Sequence, residues 1–507
     1  MPRARLTARL AALAVVCAVG AAVAIATASP AADRQGTRSG PTVRTPASER
    51  ATVEVGGTAA VAATSTAQGF LGIATELTTI TALSGSAADP DTPFIHLLGN
   101  LSPGAPLLLR LGGNSGDDSS WATPGIKTPP YLYTLTPRWG ADVHALLQAL
   151  GGKAILGVTL KVDPKINARV ASTEVADFNR YVGADLIDEF ELGNEPEFYP
   201  SSVLKRRVPG HYTSADYGRK FSQVASGLGG APLAGPDAGS PHWLAKLGTV
   251  LSDMPSRLKL VTVHAYPMKN CSRVNQLSVS DFFAHASIQG LADSIHAAVK
   301  AAAARDKPLR VDEMNGLPCG GEPGLSNSFG EALWALNVLP ALWQAGVQGV
   351  NFQTVDGNLN QVIAAKHSAS GWSVSVQPAY YGLLTFADVA PAGSRLLRIS
   401  HPDVAHIYQF AVRAPDRSER LVLTNVGSVA RTIGVTASGT RGTGSLSLLS
   451  ARSLSATGGT RLAGQRLSSR TGQLTGRPSY TLVTPNAKGV YAIRVPAHAA
   501  AILTLSA

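Results

Sequence analysis

The sequence predicts an α/β protein: a (β/α)₈ TIM barrel followed by a C-terminal all-β sandwich domain. Three observations carry this. Short apolar runs recur from Gly69 onward with helical patterns between them, as parallel βα units require. Eight such runs fall within roughly 300 residues, the number and span of a closed barrel. From about Ser394 the helical patterns stop and alternating strands continue to the end. An open doubly wound sheet is the alternative, but it calls for a phosphate-binding Gly turn that opens a helix. The segment "LGGNSGDD" (111–118) is not followed by a helical pattern.

The runs, in order, are "GFLGIATEL" (69–77), "PLLLRLGGN" (106–114), "AILGVTL" (154–160), "IDEFELGNEP" (187–196), "PLAGPDA" (232–238), "LKLVTVHAYP" (258–267), "PLRVDEMN" (308–315) and "GVQGVNFQT" (346–354). Between them lie helix-period segments such as "WGADVHALLQAL" (139–150) and "FGEALWALNVLPALWQAG" (329–346). The barrel is assigned to residues 67–390 and the β-domain, from "RLLRIS" to "AAILTLS", to 391–507. The stretch 51–66 opens with "ATVEV", a strand expected to join the β-domain.

The first 50 residues stand apart. Arg3, Arg5 and Arg9 precede an Ala-rich apolar run, and Ala26-Thr27-Ala28 supplies a small-x-small cleavage pattern. Residues 1–28 are therefore expected to be a secretory signal, which implies an extracellular protein. An uncleaved anchor is the alternative, because the run is near the lower limit for a span. Residues 29–50, rich in Pro, Ser, Thr, Ala and Gly, are expected to be a flexible linker. Cys17 would leave with the signal, so Cys271 and Cys319 remain, and an exported chain can join them as one disulfide.

Composition narrows the function classes. Of 507 residues, 45% are hydrophobic and 15% charged, enough to bury large cores. The net charge is +11, three of the positive charges lying in the signal. A basic surface attracts acidic partners. No dense Lys/Arg run with interleaved aromatics is present, so nucleic acid is not an expected partner. No metal-ligand spacing and no nucleotide motif is seen, so no cofactor is expected. Beyond the signal no run is long enough to span a membrane.

Barrel enzymes place their chemistry at the C-terminal ends of the strands. Those ends carry Glu76, Arg110 and Asn114, Asn194-Glu195, His264 and Tyr266, Asp312-Glu313, and Gln353. In strand four the two-residue period puts Glu189, Glu191 and Glu195 on one face, toward the barrel mouth. Two carboxylates flanking a bond are what glycoside cleavage needs, one protonated and one ionised. Glu195 on strand four faces either Asp312 or Glu313 on strand seven, and strand phase alone does not choose between these two. Arg110 is a candidate partner for the ionised carboxylate, Tyr266 a hydrogen-bond donor to it, and Asn194 a ligand for a sugar hydroxyl. Glu76 and Glu191 read as framework, and Trp121 and Trp243 as core.

The ordered set "GFLGIATEL", "LRLGGNSGD", "FELGNEPEFY", "VTVHAYP…C", "RVDEMNGLPCGG" and "PAYYGLL" resembles glycoside hydrolase family 79, the β-glucuronidases and heparanases, over roughly residues 50–507. The resemblance implies a retaining β-glycosidase with Glu195 as acid/base and Glu313 as nucleophile. It implies Asn194 on the 2-hydroxyl, and Arg110, His264 and Tyr266 supporting the nucleophile and sugar. Amides of Gly320 and Gly321 would cradle a substrate carboxylate. The loop departs from the family by lacking a tyrosine before this glycine pair, and strand eight has Phe352 where some relatives have Tyr. The expected partner is a glycan or glycoside, acidic sugars included, and the expected activity hydrolysis of a terminal β-linked uronic acid. The alternatives are another retaining clan-A enzyme, such as a β-xylosidase or β-glucosidase, and a noncatalytic carbohydrate-binding protein.

Overall fold

The structure, a computed structural model, describes residues 52–58, 65–121, 133–160, 164–201, 212–254, 257–272, 276–400, 404–437 and 442–506. The expected signal and linker lie outside the described residues. Eight strands build the first layer: β1 (Leu71–Glu76), β2 (Leu108–Gly112), β3 (Lys153–Val158), β4 (Ile187–Leu192), β5 (Leu233–Ala238), β6 (Leu258–Ala265), β7 (Leu309–Met314) and β8 (Gly349–Gln353). Each pairs in parallel with its sequence neighbour and β8 pairs with β1, which closes the barrel.

Alternation along each strand sends apolar side chains outward. Ile73, Leu111, Leu156, Phe190, Val263 and Phe352 join one continuous core with the surrounding helices. Helix ends follow local chemistry: Pro137–Leu150 starts with the Thr136 hydroxyl accepting the Trp139 N–H and stops at Gly151, whose φ of 56° suits glycine. Inside the barrel only Ile155, Ala234 and Leu260, with Leu108 against them, form an apolar plug. Polar and small residues share the rest of the interior, Arg310 and Asn351 lying against Gly72. Near the closed end Arg310 donates to Asn351 at 2.5 Å and to the Gly69 carbonyl at 2.9 Å.

A bulge decides what faces the mouth. Val263 of β6 pairs with Val311 of β7, but the next residue, His264, pairs with Glu313. Asp312 is the extra residue, and the break in alternation lets Asp312 and Glu313 both turn inward. A second register shift, between Pro236 and Ala238 of β5, does the same for Asp237.

The C-terminal strands are β9 (Arg395–Ser400), β10 (Ile407–Arg413), β11 (Glu419–Asn425), β12 (Arg431–Ala437), β13 (Gly444–Ser450), β14 (Tyr491–Val495) and β15 (Ala499–Leu505). With three further strands they make one ten-stranded sheet in the order Arg461–Leu462, β13, β15, β11, β10, β9, Thr52–Thr58, β12, β14, with Thr481–Val483 also on β13. The N-terminal strand Thr52–Thr58 thus lies between β9 and β12. The sheet curls so that β14 packs against β15. Its inner face, with Val53, Leu421, Leu423, Ile433, Ile493 and Leu503, encloses a core of its own. Its outer face joins the barrel's core through Phe410, Val412, Val422, Ala500 and Ile502. Between the two lies the helix Phe329–Gln344, buried on nearly every side.

Candidate active site

At the C-terminal ends of the strands the side chains converge on Arg110, which is 1% exposed. Its planar fork makes four hydrogen bonds. Nε donates to Glu191 at 2.8 Å, Nη1 to Glu313 at 2.8 Å, and Nη2 to Asn194 at 2.9 Å and Asp237 at 2.5 Å. Asp312 adds a fourth carboxylate, 3.8 Å from Nε. Arginine suits this place because it keeps its charge when buried and offers five donors in fixed directions.

Glu313 receives a second donor, the Tyr266 hydroxyl at 2.6 Å. Glu195 reaches the same space differently. Strand β4 ends at Leu192, and Glu195 sits in a turn with φ of 44°, its N–H donating to the Asp237 carbonyl at 3.0 Å. A carboxylate oxygen of Glu195, one of Glu313 and a ring nitrogen of His264 lie within 4.8 Å of one another. His264 Nδ1 is 2.9 Å from Glu195 and 3.7 Å from Glu313. Its Nε2 is 2.6 Å from Asp237, an ion-pair contact.

These contacts set the charges. Burial raises the Glu313 pKa, but His264, Arg110 and the Tyr266 hydroxyl outweigh it and hold the carboxyl below the usual carboxylate range. Burial lowers the His264 pKa, but Asp237 and Glu313 outweigh it and hold the imidazolium well above its ordinary value. Asp312 goes the other way. Burial, then Glu191 and Asp237, push its pKa well up. The adjacent acids on β7 are therefore unlike: their surroundings favour the charged form of Glu313 and the neutral form of Asp312, which is fully buried.

The six residues Arg110, Asn194, Glu195, His264, Tyr266 and Glu313 are thus brought together. Gly320 and Gly321 are in the loop after β7, where Cys319, Gly320 and Gly321 have φ of 58°, 81° and 80° in succession. The Gly321 N–H is already donated to the Pro318 carbonyl at 3.1 Å. Cys271 and Cys319 are bonded, with Cα atoms 5.4 Å apart, and tie the loop after β6 to the loop after β7. Asn270 adds a hydrogen bond to Glu322 across the same gap, at 2.7 Å.

The two-residue period placed Glu189, Glu191 and Glu195 together at the mouth, and this is corrected. Glu191 is wholly buried against Arg110, and Glu189 lies deeper, where burial and Asp188 raise its pKa to about 8. Phe352 packs against Trp334 in the helix layer, away from the mouth. Trp121 and Trp243 are core residues. Glu76 is framework, accepting the N–H groups of Asn114 and Ser115. Sequence reasoning missed Asp237, which touches both Arg110 and His264. Its signal was a lone acid at the end of an apolar fifth strand.

Glu195, His264 and Glu313 could geometrically hold a metal ion, as could Asp237, His264 and Asp312. The chemistry of both sets opposes it. The Arg110 guanidinium already neutralises Glu313 and Asp237, and a second cation there would meet it at close range.

Solved structures share this fold. One is a 4-O-α-L-rhamnosyl-β-D-glucuronidase from Fusarium oxysporum 12S, with a TM-score of 0.69 and 19% identity over 90% of this chain and 100% of that one. Two others are a family 51 α-L-arabinofuranosidase from Bifidobacterium longum (TM-score 0.61, 17% identity) and a GH51 arabinofuranosidase from Xanthomonas axonopodis pv. citri (0.59, 14%), each matched over 90% of this chain and 100% of its own. At these identities the likeness is one of fold, and the glucuronidase agrees with the resemblance read from the sequence. No family model and no curated sequence matches the chain. Among the described residues no helix is long and apolar enough to cross a membrane.

Proposed function

We propose that the chain is a secreted, retaining β-glycosidase of the family 79 type, acting on a terminal β-linked uronic acid. The observation that carries this reading is the close pair of carboxyl groups, Glu195 and Glu313. Glu313 is held ionised by Arg110 and Tyr266, and a Glu195 oxygen lies within 4.8 Å of it. Retaining enzymes keep their two carboxyl groups about 5–5.5 Å apart, close enough for one to attack carbon directly.

In the first step a Glu313 oxygen attacks the anomeric carbon. The bond from that carbon to the leaving oxygen breaks, and Glu195 gives its proton to the leaving oxygen. In the second step Glu195 takes a proton from water, the resulting hydroxide oxygen bonds to the anomeric carbon, and the Glu313 ester bond breaks. Configuration is inverted twice and so retained. Arg110 and Tyr266 align the attacking oxygen, His264 holds Glu195, and Asn194, itself held by Arg110, is positioned to receive the 2-hydroxyl.

A neutral-sugar relative, a β-xylosidase or β-glucosidase, is the second reading. The Gly321 amide is spent within its own turn, and the loop offers no tyrosine for a carboxylate.

The test is turnover of a panel of nitrophenyl β-glycosides, with Glu195→Gln and Glu313→Gln beside the native chain. Loss of about 10⁴-fold or more in Glu313→Gln, and azide-dependent formation of a β-glycosyl azide in Glu195→Gln, are expected. Turnover of the β-glucuronide alone supports the uronic-acid reading, and turnover of a neutral glycoside transfers it to the second reading. Full activity in Glu313→Gln would overturn the proposed chemistry.

A further inference from the structure

A second cavity, of about 340 Å³, lies apart from the carboxylates. Four segments form it: Leu97 of the helix Thr92–Gly99, the hairpin of Ile363–Ser368 and Gly371–Val376 that follows β8, the start of the helix Pro378–Val389, and residues 458–461 and 466–469 of the C-terminal module. Small-molecule sites commonly begin at about 300 Å³. The chemistry of its wall is specific. Leu97 and Val374 give an apolar surface, Arg461 and Arg466 stand exposed, and Tyr381 and Thr460 bring hydroxyls. Among the described residues no Asp or Glu lines it.

Two hydroxyls are left with bonding capacity. The Tyr381 oxygen accepts the Leu467 N–H at 2.9 Å, which leaves its own hydrogen to donate. Thr460 is 4% exposed, and its hydroxyl, without a partner, lies just beneath the wall rather than open to the cavity. A buried polar group without a partner is costly, and sites that bind polar ligands are where such groups persist. The walls are also fixed from both sides. Ala463 N–H donates to the Leu448 carbonyl at 2.8 Å and Val374 N–H to the Ser469 carbonyl at 2.8 Å. Arg461 is braced on the Gly464 carbonyl at 3.0 Å. Both guanidinium groups lie close enough to act on the Tyr381 hydroxyl electrostatically.

We propose that this cavity is a second glycan-binding site, taking a carboxylate-bearing sugar unit of an acidic oligosaccharide. An apolar wall suits the C–H face of a pyranose ring, hydroxyls suit its rim, and an arginine fork suits a carboxylate. The inference goes beyond the proposed catalysis and does not depend on it, because none of the residues named here belongs to the carboxylate cluster.

The experiment is calorimetric titration of the full chain with tetragalacturonate, whose α-linkages a β-glycosidase leaves intact. Its fully methyl-esterified form, which keeps the shape and removes the charge, is the comparison. Binding to the native chain, weakened tenfold or more in Arg461→Ala/Arg466→Ala and in the methyl ester, is the expected result. The two arginines are exposed, so unchanged thermal unfolding of the variant is expected to show that it folds. Arg461→Lys/Arg466→Lys is expected to bind between the two, keeping charge and losing the fork. Equal affinity of the native and double-alanine chains overturns the proposal, as does equal affinity for the acid and the ester, or no binding at millimolar ligand. Nitrophenyl glycoside turnover, measured on the same preparations, is expected to be equal in all of them. Its absence throughout would sink the catalytic reading while leaving the binding result intact.

Discussion

Two of the buried regions are built on opposite terms: the inner core of the C-terminal sheet and the barrel interior. The inner core of the C-terminal sheet is aliphatic, with Leu421, Leu423, Ile433 and Ile493 packed together and Tyr491 as its one large polar-tipped member. The barrel interior holds Arg110, Glu191, Asp237, His264 and Asp312, all 1% exposed or less. The first interior is the ordinary solution, since burying apolar area stabilises without needing partners. The second is retained at a cost, since each buried charge is tolerable only while its partners stay in place. The difference teaches what a polar interior can do that an aliphatic core cannot: it fixes carboxyl groups at set positions.

The comparison can be broken most directly at its centre. Arg110→Met leaves Glu191, Asp237 and Glu313 without their common counter-charge. A loss of roughly 3–5 kcal/mol in unfolding free energy, together with loss of turnover, is expected from denaturant titration and nitrophenyl glycoside assays. If stability held while turnover vanished, the polar interior would be less interdependent than its geometry implies. Leu423→Ala probes the other side. A cavity in the sheet's inner core is expected to cost about 2–5 kcal/mol while kcat stays the same. A fall in kcat at a temperature well below unfolding would show that the two interiors are coupled.

Finer changes sharpen the contrast. Tyr266→Phe removes a charge-assisted hydrogen bond of about 1.5–3 kcal/mol from Glu313. A fall of roughly 10- to 150-fold in kcat/KM is expected, with the acid limb of the pH profile moving upward as the Glu313 pKa rises. An unmoved limb would assign that limb to another group. Asp237→Asn acts on His264. The folded-state pKa of His264 is raised, so its contribution to stability is complete below the unfolded value of about 6.5 and lost as pH rises through the folded value. Removing the Asp237 charge lowers the folded value, so in a series of thermal melts above pH 6 this loss is expected to be smaller in total and complete at lower pH. Parallel curves for native and variant chains would place the counter-charge of His264 elsewhere.

The barrel was legible because each strand is a short apolar run bounded by turn residues, and helix-period segments separate them. The all-β module was legible for the converse reason, since strands such as "RLVLTNVG" follow one another with turns alone between them. The polar strand ends pointed to one rim, and Arg110, Tyr266 and Glu313 share one set of hydrogen bonds there. What failed was phase. A two-residue period assumes an unbroken strand, and the bulge at Asp312 and the turn at Glu195 both break it. Pairing register is a property of two strands together, so neither strand's own sequence announces the extra residue. Asp237 escaped notice for the same reason: a register shift, not a pattern in "PLAGPDA", turns it inward.

The helix Phe329–Gln344 has a consequence for modular engineering. Its apolar surface is shared out between the strands of the barrel and the outer face of the sheet, through neighbours such as Phe386 and Phe410. Neither part owns its complete lining. A cut placed in the loop between them would yield two fragments with sticky, half-finished surfaces rather than two working pieces. The C-terminal sheet is better regarded as the lid of the barrel's own box than as cargo that could be swapped for another module.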